Sequence, residues 1–226
     1  MKNFMKVKRK KSLSTQGFTL IELLVGMVVS LLAMGAIYST FLNQHKSYLV
    51  QEEFAAMQQN IRAAMFYMQR EIRMAGCDPT GLAGAGITAA SPTSISFTED
   101  VWDGNPGGSP DGDTDDNNEV IMYNLDDSDG DGVVDELDRN NQTVAQNIDA
   151  LNFVYLDANG NTTATLADIR SVEITIVARI SRGLLPTVNN NTYLNQRGAT
   201  ILGPQNDNLS RRRLTAFIKC RNLGLN

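Results

Sequence analysis

The sequence predicts an α+β protein: one long N-terminal α-helix, half membrane-type and half amphipathic, packed by its outer half on an antiparallel β-sheet with long acidic loops. Three observations predict it. Residues 18–42 are almost wholly apolar, with Glu22 as the only charge. Residues 43–75 contain no proline or glycine and space Phe54, Met57, Ile61, Met65, Met68 and Ile72 by threes and fours, the stripe of an amphipathic helix. Beyond "GCDPTG" at 76–81, where glycine and proline stop the helix, strand-like stretches alternate with turn-rich ones.

In chain order, residues 1–17 form a basic leader with Lys2, Lys6, Lys8, Arg9, Lys10 and Lys11 and no acid. As a helix, residues 18–42 would rise about 37 Å, enough to cross a hydrocarbon core of about 30 Å. A secretory signal peptide would show a shorter apolar core followed by a small-residue cleavage site. Here "GFTLIE" stands before the apolar run, so a cut there leaves the helix on the product. The leader directs the N-terminus to the cytoplasm by the positive-inside rule. Without it, 14 basic residues face 25 acidic ones, a formal charge of −11. Such a chain has no basic surface with which to hold a nucleic acid.

Gly17-Phe18-Thr19-Leu20-Ile21-Glu22, with the leader before it and the apolar run behind, resembles the class III signal of type IV prepilins and type II secretion pseudopilins. The resemblance implies cleavage between Gly17 and Phe18 by a prepilin peptidase on the cytoplasmic side and methylation of the new Phe18 amino group. It implies a pilin-like fold and an assembly role for Glu22, pairing with the N-terminal amine of a neighbouring subunit. A carboxylate at the centre of a membrane helix costs about 2.5–3.5 kcal/mol, and less toward the interface. The first-turn macrodipole and a freed amine one turn away would offset that. The alternative is that Glu22 sits among lipid headgroups.

Residues 43–76 are expected to continue the helix and pack on a head formed by 77–226. Its candidate strands are 93–99, 119–125, 148–156, 171–180 and 212–223. Val172, Ile174, Ile176 and Ala178 alternate with Glu173, Thr175 and Val177, which suits a strand with one face on a helix. "LDANGN" at 156–161 is a turn signal that makes its flanking strands antiparallel neighbours. Residues 184–208, polar and irregular, read as an exposed loop, Gly26 and Gly35 as weak points of the membrane half, and His45 as interfacial. No internal repeat is present.

Cys77 and Cys220 are the only cysteines. In an oxidising compartment a disulfide between them would close a loop of roughly 140 residues, worth about 4–5 kcal/mol. Two unpaired buried thiols are the alternative.

Between Glu99 and Asp138 stand fifteen acids and no Lys or Arg. Most of this stretch reads as exposed loop. "DSDGDGVVDELD" at 127–138 is sharper, with Asp127, Asp129 and Asp131 at positions one, three and five of an EF-hand-type loop and Gly132 at six. Those carboxylates, the carbonyl of Val133, Asp135 through water and Asp138 would supply the six to eight oxygens that Ca2+ takes. Aspartate stands at twelve where glutamate is usual, similar to dockerin-like loops, and an ion-free acidic turn is the alternative. Asp111, Asp113 and Asp115 form a weaker echo, and Asp157, Asn159 and Asn161 read better as a hairpin turn.

Catalysis has little support, because the single histidine lies in the stem and no Ser-His-Asp set, Cys-His set or phosphate loop can be assembled in the head. Three readings remain: a minor pilin of a type IV pilus, a minor pseudopilin of type II secretion, and a monomeric membrane-anchored calcium-binding domain. "QREIRMAGCDPTG", "YLDANGN" followed by "IRSVEITIVAR", and "RRRLTAFIKCRNLGL" are similar to the PilW family of minor pilins. That resemblance implies a chain held in the bacterial inner membrane before assembly and then carried into a pilus. Its partners would be other minor and major pilins, the prepilin peptidase, the inner-membrane assembly platform and a tip adhesin. Adhesion, twitching motility or DNA uptake would follow.

Overall fold

The computed structural model describes residues 17–102, 108–116, 118–183 and 188–224. The expected leader, apart from Gly17, lies outside the described residues. The chain divides into two units, Met1–Leu49 and Val50–Asn226, and helix α1 (Leu20–Met74) contributes to both.

In the first unit α1 runs through Gly26 and Gly35 without interruption. Residues 17–48 are exposed throughout, including Leu31, Leu32 and Ile37. The helix reaches a mean hydropathy of 2.4 and is long and apolar enough to cross a membrane. An all-round apolar helix needs lipid or other protein around it. Two of its hydroxyls bond back to the helix, Ser30 Oγ donating to the Gly26 carbonyl at 2.7 Å and Thr40 Oγ1 to that of Ala36 at 3.0 Å.

In the second unit α1 buries Met57, Ile61, Ala64, Met65, Met68 and Ile72, the expected stripe with Ala64 added, while Phe54 is half-buried. The helix ends before Gly76, whose φ of +76° favours glycine; a Cβ there would also lie 2.4 Å from Leu223 Cδ2 and displace that side chain. Five strands, β1 (Ile87–Ala90), β2 (Ile95–Thr98), β3 (Val120–Asp126), β4 (Glu136–Arg139) and β5 (Gln142–Ala145), form an antiparallel meander. A second antiparallel sheet, ordered β10-β7-β6, joins β6 (Ile148–Leu156), β7 (Ser171–Arg179) and β10 (Arg211–Lys219). The helix stripe, Phe97, Ile121, Tyr123 and Leu137 of the meander, and Phe153, Ile174 and Ile218 of the second sheet share one core.

The helix and the expected strands at 119–125, 148–156 and 171–180 are present within a residue or two. Strands β1, β4 and β5 were not expected: each has four residues, too few for a period-two pattern to show. The turn after β6 bends at Gly160, with Asp157 accepting from the amides of Asn159 and Asn161, each at 2.8 Å. The β6–β7 connection then continues through a short 3-10 turn at Leu166–Asp168 before β7 begins.

Two expectations need correction. Strand β7 is buried on both faces, not one. The segment read as an exposed loop supplies the second cover: within it β8 (Tyr193–Leu194) and β9 (Thr200–Leu202) pair. Gln196 Nε2 donates to the Ala216 carbonyl at 2.9 Å, Asn195 Nδ2 to Asn152 Oδ1 at 3.0 Å, and Arg197 pairs with Glu173 at 3.0 Å. Asparagine and glutamine side chains bond to the backbone and polar groups of the sheet, so a polar sequence still makes a lid.

Candidate functional site

The N-terminal motif is built by helix capping. Thr19 is the residue before α1 and Glu22 the third within it. The Thr19 amide and hydroxyl each donate to Glu22 Oε2 at 2.8 Å, and the Glu22 amide donates to Thr19 Oγ1 at 3.3 Å. This is a reciprocal capping box, and its T-x-x-E spacing is a sequence signature in its own right. One oxygen takes both side-chain-directed bonds, and the carboxylate sits where the helix macrodipole favours negative charge. Phe18 is exposed, and with Leu23, Met27, Leu31 and Met34 it lines an open apolar face beside Glu22.

The acidic loop joins β3 to β4. The two strands pair Asp126 with Glu136, Leu125 with Leu137 and Asn124 with Asp138. Leu137 enters the core and Arg139, on the same face, forms an ion pair with Glu71 of α1 at 2.9 Å. Glu136 and Asp138 therefore point to the opposite face. That face would ordinarily be wet, yet Glu136 is 2% and Asp138 0% exposed. The loop folds over them: Ser128 Oγ donates to Asp138 Oδ2, and the amides of Asp131, Gly132 and Val133 turn inward to Asp129, Asp127 and Asp131 at 2.8–3.0 Å. Carboxylate oxygens of Asp127, Asp129 and Glu136 lie within 4.8 Å of one another.

The ligand set read from the sequence is thus rearranged. Asp127 and Asp129 come together as expected. Asp131 and Val133 are exposed and shape the turn instead. Asp135 is claimed by Arg179, which also pairs with Asp149 at 2.6 Å. Glu136 takes part although it stands at position ten, which an EF-hand template leaves blank. Burial, with Asp135 and Asp129 nearby, pushes its carboxyl up to about 7. A second group, Asp111, Asp113 and Asp116, also gathers within 4.8 Å, with Asp116 in place of the Asp115 of the sequence reading.

Cys77 is half-buried and Cys220 buried, and the two are not bonded to each other in this structure. Asn222 Nδ2, two residues beyond Cys220, donates to the carbonyl of Met74, three residues before Cys77, at 3.0 Å. Burial raises both thiols, Cys220 to about 12, and Glu99, Asp100 and Asp78 raise Cys77 further. Protonated thiols are poor partners in exchange.

Residues 13–38 match the family model of the prokaryotic N-terminal methylation motif, which takes in the end of the leader, the capping box and the apolar helix. A type IV-like pilin from Thermus thermophilus has a similar fold, with a TM-score of 0.51 and 14% identity over 74% of this chain and 98% of that one. A search of curated proteins returns no match. The N-terminus thus carries a prepilin-type methylation motif, the fold is similar to that of a type IV-like pilin, and the apolar helix is long enough for membrane anchoring.

Proposed function

We propose that this chain is a minor pilin, PilW-like, that helps to initiate a type IV pilus and is built into it. The observation that carries the reading is a capped prepilin motif opening a helix that is wholly exposed over residues 17–48 and becomes the spine of a pilin-type head. Cleavage after Gly17 frees the Phe18 amine, and the exposed apolar surface exchanges lipid for like helices. Glu22 sets the register: it has an oxygen left over from the capping box, and a misdocked subunit leaves a buried charge unpaired, a penalty of several kcal/mol. Before assembly the chain stands in the inner membrane with its N-terminus cytoplasmic. Its partners are the prepilin peptidase, the assembly platform, major and minor pilins and a tip adhesin.

The test is deletion of the gene followed by complementation with Glu22→Ala, scoring surface pili and type II secretion separately. Piliation is expected to fall at least about tenfold with secretion intact, from the loss of even 1.4 kcal/mol of docking energy. Loss of secretion with normal piliation would assign the chain to the secretion pseudopilus, and full piliation would remove Glu22 from assembly.

A further inference from the structure

We propose that the β3–β4 connection holds a calcium ion, with Asp127, Asp129 and Glu136 as ligands and Asp138 supporting them on the same strand face. The gathered acids are the first observation, and by themselves they would describe only a solvated turn. The second is independent of the first: Asp127 Oδ1, Glu136 Oε2 and Asp138 Oδ1 are buried and have no hydrogen-bond partner. Sealing carboxylate oxygens from water without a donor is costly, and native proteins answer it with a donor, a counter-charge or a metal. No donor serves these three atoms. Among the described residues no Lys or Arg forms an ion pair with any of the four acids, although Asp135 beside them has Arg179.

The chemistry selects the ion. All candidate ligands are hard oxygens, which excludes a preference for the softer metals that histidine and cysteine bind. Three or four carboxylates, from the loop and from the strand it folds over, suit calcium, which takes six to eight oxygens; magnesium keeps its waters and uses one or two carboxylates. Gly130 and Gly132, at φ of +76° and +88°, give the loop the bends that fold it over β4.

A cation here would tie the loop to the outer face of β4, whose inner face carries Leu137 and the Arg139–Glu71 pair. It would thereby hold the register of the strand that anchors the head to its own stretch of helix. The inference stands whether or not the chain enters a filament.

The test uses the full chain in detergent micelles, stripped with chelator and titrated with CaCl2, with MgCl2 in parallel. Bound calcium is counted by elemental mass spectrometry, and head unfolding is followed by circular dichroism. About one calcium per chain is expected, with a midpoint rise of about 5–10 °C at a hundredfold excess over Kd. Glu136→Gln keeps the side-chain shape and removes a charge, so without calcium it should melt no lower than the unsubstituted protein. With calcium it should bind at least about tenfold more weakly and lose the rise, as expected for removing one charged ligand. No bound calcium, equal rises with both salts, or an unaltered affinity in Glu136→Gln would overturn the proposal.

Discussion

Glu22 and Glu99 show how differently two carboxylates of one chain are treated. Glu22 is served by Thr19 from both its amide and its hydroxyl, so a charge near the membrane is never bare. Glu99, half-buried just beyond β2, is pushed up to about 7 by burial first, with Glu71 and Glu119 adding and Arg139 and Arg70 opposing. A raised acid is favoured in its neutral form in the folded state. Its stabilising share is complete below the ordinary glutamate value of 4.5 and is lost as pH rises through about 7. Glu99→Gln should therefore be more stable than the unsubstituted protein at pH 8 and indistinguishable from it at pH 4, as read by chemical denaturation at both values. At this scale the sequence was partly legible. Thr19 and Glu22 announce a capping box by spacing alone, whereas the burial of Glu136 follows from a strand, β4, that four polar-rich residues do not betray.

Among the elements, α1 was the most legible, because 3.6-residue periodicity over several turns has few rival explanations. Its stripe is the spine of the head's core, and Ile72, fully buried, sits at the end nearest the turn. Ile72→Ala should cost about 2–5 kcal/mol in urea unfolding of the head. A cost below about 1 kcal/mol would mean that the helix does not pack as described. Strands β6 and β7 were legible through alternating apolar residues. The lid over β7 was not, since Asn195, Gln196 and Arg197 are the residues of a solvated loop and become cover only through specific bonds to the sheet. The aspartate spacing marks the acidic loop as a candidate cation loop, and two of its acids, Asp127 and Asp129, do gather. Which acids gather differs from the spacing because tertiary contacts decide which are free, and Arg179, far along the chain, takes Asp135.

Taken whole, the chain joins a unit with no buried described residue, Met1–Leu49, to one with a complete core, Val50–Asn226. The head has a core of its own, whereas the exposed apolar helix needs lipid or other protein around it. On the proposed reading, leader removal is the step that commits the chain from the one environment to the other. Peptide mass spectrometry of filaments sheared from cells tests this most directly. The expected result is a peptide from this chain in the filament fraction that begins at Phe18 and carries a methyl group on its amino terminus; the chain confined to the membrane fraction with residues 1–17 still attached would overturn the proposed reading.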